Sequence, residues 1–347
     1  MCRYLFLCPD STSASGGIAV IYDLAALLNS NGYNAAVVHN SKNAGYPDYP
    51  EAVPMFFTNA LNQTYGRNSG RKYRVQTLLN NLRPKEKKLQ HLELRPDDVI
   101  VSPEFQFAEA VESFPNSKVV VFVQNPFSLM TSYHTCLQRG IKPRQHVRYW
   151  LGIAEVCRSH LAVLNFEPSA IFPVTMKPHD FPFQETKQNL ITYMPRKRPW
   201  EAKVIADALQ RRGNIYGYRL EALENITRAE VASKLGQSRF FISLLQQEAL
   251  GFPAAEAMSS GCIVIGFDGL GTSEYFDAQV GIPVTEGDVA GLINAVEVAV
   301  EQYETEPRLL NEMRKRASER VRSRYSQEAF RHGALEAWAK MHKTINE

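Results

Sequence analysis

Short apolar runs alternate along the chain with stretches in which apolar residues recur every three or four positions, and this alternation predicts strands and helices in turn. Tyr4-Leu5-Phe6-Leu7 reads as a strand that stops at Pro9. A loop of small residues follows, ending in Gly16-Gly17, and then Ile18, Ile21, Leu24, Ala25 and Leu28 fall at helical spacing. Asn31-Gly32 closes that helix, and residues 35–39 read as a second buried strand. Strand, glycine loop, helix, strand is the opening of a parallel α/β sheet. Further strands are expected at 99–101 and 119–123, and a helical stretch near 147–161.

Prolines then cluster between residues 165 and 185, and the α/β pattern restarts after them. Strands are expected at 190–194, 240–245 and 262–266, and helices at 200–211, 253–260, 288–303, 306–324 and 327–343. No repeat of solenoid period is present. The expectation is two α/β domains, one over residues 1–170 and one over 171–326, each around a mostly parallel sheet. The last stretch, 327–347, is a helix expected to cross back to the first domain.

The most informative stretch runs from Gln246 to Gly261. Pro253 suits the first turn of a helix, where its missing N–H is not needed and its φ is preset. Gly261 stands where a left-handed residue would end that helix. The helix N-terminus, with free N–H groups and a positive dipole end, then faces the loop at Gly251, a site suited to phosphate or diphosphate. Glu248 comes just off the carboxyl end of strand 240–245, where open α/β sheets bind ligands, and Glu256 is expected in the first helical turn. Two carboxylates there can accept hydrogen bonds from sugar hydroxyls. They can equally be structural, Glu256 stabilising its own helix and Glu248 standing in solvent.

The same stretch resembles the Glu-(seven residues)-Glu motif of the retaining GT-B glycosyltransferases, family 4 of the group 1 glycosyl transferases. The likeness includes Gly251 three residues after Glu248, the sequence Glu256-Ala257-Met258, and Gly261 before an apolar strand. It continues into Gly269-Leu270-Gly271-Thr272-Ser273-Glu274, similar to that family's glycine-rich loop ending in Glu, and into Gly281-Ile282-Pro283-Val284. It is close over residues 190–330 and weaker before them, where it rests on Gly16-Gly17, Gly32 and the strand that follows.

The resemblance implies a GT-B fold, with two Rossmann-like α/β domains facing a central cleft. It implies that Glu256 accepts hydrogen bonds from the nucleotide ribose and Glu248 meets the donor sugar. Gly251 and Phe252 would offer backbone N–H groups to the diphosphate or sugar, with Gly16, Gly17, Gly271 and Thr272 also at the donor site. The family's Gly-Arg and following Lys, which contact the diphosphate, correspond to Pro195-Arg196-Lys197-Arg198 here. Arg196 is the first choice for that contact, and Lys197 or Arg198 the second. Where the family often has a His after an N-domain strand, this chain has Gln124-Asn125, and either could make the contact. Asn125 joins Glu248 and Arg196 as an expected catalytic residue. The implied activity is retaining transfer of a hexosyl or deoxyhexosyl group from a nucleotide-diphosphate sugar to a glycan, lipid-linked or other hydroxyl acceptor. A nucleotide-sugar epimerase or a non-catalytic subunit on the same fold are the alternatives.

Composition narrows this further. Of 347 residues, 44% are apolar and 22% charged, which excludes a wholly disordered, collagen-like or coiled-coil chain. Thirty-nine basic against 36 acidic side chains leave a formal charge of only +3, too little to imply nucleic acid. The five cysteines are scattered and show no Cys-x-x-Cys spacing, so neither a disulfide framework nor a zinc site is expected. The apolar run at the N-terminus is too short for a signal-peptide core, and no run approaches the roughly 18 residues of a membrane span. A cytoplasmic protein follows. No Asp-x-Asp after a strand, P-loop or dinucleotide fingerprint is present, so no metal and no cofactor beyond the nucleotide-sugar substrate are expected. Residues 66–88 carry eight Lys or Arg against Glu86 alone. They are either a solvated insertion or a patch for anionic lipid or an acidic acceptor, which would make the protein peripheral at the inner membrane face.

Overall fold

A computed structural model describes residues 2–10, 16–42, 44, 53–61 and 89–347. The basic stretch 66–88 and the loop at 11–15 lie outside the described residues. The chain divides into two compact units. The first holds residues 1–153, 157–172 and 331–347, and the second residues 154–156 and 173–330.

The first unit is built on eight parallel strands: β1 (Arg3–Leu7), β2 (Asn34–His39), β3 (Met55–Phe57), β4 (Gln90–His91), β5 (Val99–Pro103), β6 (Lys118–Val123), β7 (Val147–Gly152) and β8 (Ser169–Ile171). Their order is β4-β3-β2-β1-β5-β6-β7-β8. The central strands β1 and β5 are buried along their whole length, as a parallel sheet covered on both faces requires, and that is why they read as unbroken apolar runs. Trp338, from the helix Gln327–Asn346, seals one face. Its indole stacks on Phe6 at 5.6 Å and meets Tyr4 edge-on at 4.8 Å.

The expected helix near 147–161 is half wrong. Residues Val147–Gly152 form β7, and only Glu155–Val163 is helical. Val147, Tyr149, Trp150 and Leu151 are buried, with Trp150 stacked on Phe166 at 4.1 Å. Apolar residues at 149, 150 and 151 run together, which suits a strand covered on both faces as well as a buried helix, and sheet pairing with β6 and β8 decides it.

The second unit has five parallel strands, β9 (Gln188–Tyr193), β10 (Arg219–Ala222), β11 (Ser238–Leu245), β12 (Ile263–Asp268) and β13 (Ile282–Pro283), ordered β10-β9-β11-β12-β13. Its core joins Phe240, Ile242 and Leu244 of β11 to Ile263, Ile265 and Phe267 of β12. Against these pack Ile205 and Leu209 from one helix and Leu292 and Val296 from another. Two Rossmann-like α/β units are the fold class the sequence implies, the GT-B architecture. No helix among the described residues is long and apolar enough to cross a membrane.

Candidate active site

In the second unit three neighbouring parallel strands, β9, β11 and β12, deliver their carboxyl ends to one place. After β9 comes a single 3-10 turn, Pro195–Lys197; after β11, the loop 246–251; after β12, the loop 269–272. Ligands gather at such ends because the loops there leave backbone groups and helix termini free of the sheet.

The loop after β11 is held from two sides. The Glu248 N–H donates to the Gly269 carbonyl at 2.9 Å. Gly271 packs so tightly on that turn that an added Cβ would collide with the Glu248 carbonyl oxygen. Buried Tyr275 donates its hydroxyl to the carbonyls of Leu250 at 2.8 Å and Gly251 at 3.0 Å, and Thr272 anchors its own turn through the Asp268 carbonyl at 2.7 Å. Gly271 and Thr272 thus shape the loop from beneath. Glu274, at the end of the glycine-rich run, is tied to Arg324 at 3.0 Å and to the Tyr325 hydroxyl.

Helix Phe252–Ser259 begins one residue earlier than expected, and Gly251 caps it in the left-handed region at φ 62°. A Cβ at Gly251 would lie 2.5 Å from a Leu245 methyl carbon and 2.8 Å from one of Thr272, so both backbone shape and space call for glycine. The Ala254 and Ala255 N–H groups turn back on the Gly251 carbonyl. Those of Gly251 and Phe252 have no acceptor among the described residues. Gly261 follows the helix at φ 83°, the expected left-handed stop. The earlier start moves Glu256 from the first turn to the second, since it is the fifth helical residue.

The basic trio after β9 divides by role. Arg196 is exposed and pairs with nothing among the described residues. Lys197 reaches across to the next loop, its Nζ 2.6 Å from Glu248 Oε1 and 3.0 Å from the Gln246 carbonyl oxygen. Arg198 turns inward and is buried. It pairs with Glu201 at 3.0 Å and with Glu286, donates to the Leu245 carbonyl, and stands 4.7 Å over the Phe267 ring. Arg198 braces the turn from inside, Lys197 reaches the loop after β11, and Arg196 stands exposed.

Glu256 is buried at 5% exposure, and burial pushes its carboxyl up to about 7 although Arg228 opposes the shift. Arg228 Nη1 lies 2.7 Å from Glu256 Oε1. The sequence reading missed Arg228. A signal was present, because Thr227-x-x-Glu230 is a capping box that places Arg228 at the first position of helix Arg228–Gln237, and both reciprocal bonds form.

The first unit has its own arrangement at the carboxyl ends of β1, β5 and β6. Gly16 and Gly17 open helix Gly16–Ser30 and are exposed. A Cβ on Gly17 would stand 3.2 Å from Gln124 Oε1, so the two expected features meet. Asn125 caps helix Pro126–Arg139, its Oδ1 accepting from the N–H groups of Phe127 at 2.9 Å and Ser128 at 3.4 Å. Beneath them sits Glu104, buried just past β5, with Oε2 accepting from the Gln124 N–H at 3.0 Å. Burial pushes Glu104 up to about 7, while backbone N–H groups of Gln124, Asn125 and Glu104 itself pull it down. The only sign of Glu104 in the sequence is an acid directly after an apolar strand.

All five cysteines are free. Among the described residues no group of three or more His, Cys, Asp or Glu side chains is arranged to hold a metal ion.

Residues 196–330, which contain Arg196, Arg228, Glu248, Gly251 and Glu256, match a protein-family model described as glycosyl transferase-like. A curated relative, the alpha-1,6-glucosyltransferase of Actinobacillus pleuropneumoniae serotype 7 (strain AP76), is 26% identical over 230 residues, covering 62% of this chain and 67% of that one. Among solved structures, sucrose-phosphate synthase from Thermosynechococcus elongatus superposes with a TM-score of 0.67 at 13% identity, covering 99% of this chain and all of that one. HepE of Anabaena, solved with UDP and glucose, gives 0.64 at 11% identity over 99% of both chains. A variant of S. aureus TarM, solved with fondaparinux, alpha-GlcNAc-glycerol and UDP, gives 0.65 at 12% identity over 98% of this chain and 99% of that one. These superpositions concern the fold.

Proposed function

We propose that this chain, a glycosyltransferase of GT-B fold, is a retaining enzyme that moves a hexosyl group from a nucleoside-diphosphate sugar to a hydroxyl of a glycan or lipid-linked acceptor. The observation that carries the reading is the convergence at the ends of β9, β11 and β12. Glu248 paired with Lys197, the exposed Arg196 and two backbone N–H groups without acceptors among the described residues stand on the turns and loops there, and Glu256 follows in the helix that starts at Phe252, all within the stretch that matches the family model. The relative that transfers glucose, and fold neighbours solved with UDP, favour a uridine diphosphate hexose as the donor.

In this reading the diphosphate lies against Arg196, Lys197 and the Gly251 and Phe252 N–H groups. Those fixed donors stabilise the charge that grows on it. Glu256 accepts from the ribose and Glu248 from the sugar. The C1–O bond to phosphate breaks while a bond from C1 to the acceptor oxygen forms on the same face. The acceptor proton passes to the departing phosphate oxygen, so neither glutamate becomes a covalent nucleophile. The charge is met without a metal. The reading also includes a cytoplasmic location, with the basic stretch 66–88 meeting an anionic membrane face; equal co-sedimentation with neutral and anionic vesicles would remove that part.

The test is a panel of nucleotide sugars with and without EDTA, the product's anomeric configuration being read by NMR. Retention, with turnover unchanged by EDTA, is expected. An inverted product, an epimerised donor, or turnover that magnesium or manganese must restore would overturn the reading.

A further inference from the structure

We propose that Arg228 is a positioning residue for the nucleotide: clamped on three sides, its guanidinium grips one oxygen of Glu256 and presents the other to the ribose hydroxyls. This rests on the reading above that Glu256 receives the ribose.

The clamp is visible atom by atom. Arg228 Nε lies 3.3 Å from Asp180 Oδ2, Nη2 donates to the Met176 carbonyl at 3.1 Å, and the guanidinium stands 4.6 Å over the Phe181 ring. The remaining nitrogen, Nη1, holds Glu256 Oε1 at 2.7 Å. Because the residue opens a helix fixed by a capping box, the backbone that carries the fork is held in place. Glu256 Oε2 has no donor among the described residues and is the oxygen left for a ligand hydroxyl. The two partners differ in access, the Arg228 side chain being 46% exposed and that of Glu256 7%. The pair therefore stands at an edge, with its acceptor sheltered and its cation outermost.

Charge gives the clamp its second role. A carboxylate accepts two hydrogen bonds from a vicinal diol, whereas a carboxylic acid offers a donor in place of one. Burial favours the acid form of Glu256, and Asp180 pushes the same way. Arg228 opposes both. Asp180 itself is also met by His179, whose Nε2 lies 3.0 Å from its Oδ1, and the other charged groups packed on this helix are engaged elsewhere. Arg314 bonds the Gly261 and Gln184 carbonyls, Arg322 the Pro178 and Phe181 carbonyls, and Lys187 the carbonyls of Leu235 and Ser260. Glu248 is paired with Lys197, and Glu274 with Arg324. Arg228 is thus the cation that answers Glu256.

The experiment is calorimetric titration of UDP into wild-type protein and the Arg228→Met, Arg228→Gln, Arg228→Lys and Glu256→Ala variants between pH 5.5 and 9. Circular dichroism confirms that each is folded. Ionisation of the UDP phosphate is common to every variant and cancels in the ratio to wild type. Arg228→Met and Arg228→Gln should shift the pH midpoint of binding upward by about one unit or more, with affinity at pH 6 down at least about tenfold and recovering as the pH rises. Arg228→Lys should return the midpoint to within about half a unit of wild type. A loss of the same factor at every pH, or no loss, overturns the positioning role. If Glu256→Ala binds UDP as wild type does, the parent reading fails instead.

Discussion

Each unit carries a buried glutamate beyond the carboxyl end of a parallel strand, and the two are held by different chemistry. Glu256 in the second unit is answered by one side-chain cation, Arg228, itself nearly half exposed. Glu104 in the first unit is answered by backbone N–H groups, among them that of Gln124 at 3.0 Å. Burial pushes both up to about 7. The difference lies in what a ligand can change. Backbone donors belong to the turn and stay with it, so Glu104 fixes the shape that presents Gln124 and Asn125. A side-chain pair at an accessible edge leaves an acceptor open, so Glu256 is suited to binding.

That comparison can be broken or sharpened by substitution. The largest effect on stability is expected from Arg198→Ala in the second unit. It strips the cation from buried Glu201 and should cost about 3–5 kcal/mol, read by urea unfolding. A cost under about 1 kcal/mol would show that the turn after β9 is held by something else. Next is Glu104→Gln. The folded carboxyl titrates near 7 against an ordinary 4.5, so the folded state favours the acid. Its burial cost is absent well below pH 4.5, grows as the pH rises, and is complete above about 7. Relative to wild type, the amide variant should therefore gain about 2 kcal/mol between pH 5.5 and 8. A stability difference that does not vary with pH would contradict the burial account. The smallest effect on stability is expected from Arg196→Ala, within about 0.5 kcal/mol because the side chain is exposed and unpaired among the described residues. Its nucleoside-diphosphate affinity should still fall several-fold. An unchanged affinity would return Arg196 to the solvated surface.

Much of the fold was legible because buried parallel strands announce themselves as apolar runs. Val119–Val123 and Phe240–Leu245 needed no other signal. Short edge strands such as Gln90–His91 and Ile282–Pro283 carry too few residues to show a period, and β7 was misread because its buried run fits a helix equally well. In the site, residues next to glycines and prolines were found, since Gly251, Pro253 and Gly261 mark turns and helix ends locally. What stayed hidden were partners far apart in sequence. Arg228 and Glu256 are separated by 28 residues, Glu104 and Gln124 by 20. The inward turn of Arg198 could not be told from its neighbours' outward one, because a run of three cations has no pattern that says which is buried.

The central claim is that the two glutamates of the second unit divide the donor between them, Glu256 taking the nucleotide and Glu248 the sugar. Calorimetry with UDP, paired with a transfer assay on Glu256→Ala and Glu248→Ala, tests it directly. Glu256→Ala should weaken UDP about ten- to a hundredfold, the loss of a charge-assisted hydrogen bond worth roughly 1.5–3 kcal/mol. Glu248→Ala should leave UDP affinity within about threefold while turnover falls on the order of a hundredfold. Equal losses of UDP affinity in both variants, or wild-type turnover from Glu248→Ala, would contradict that division.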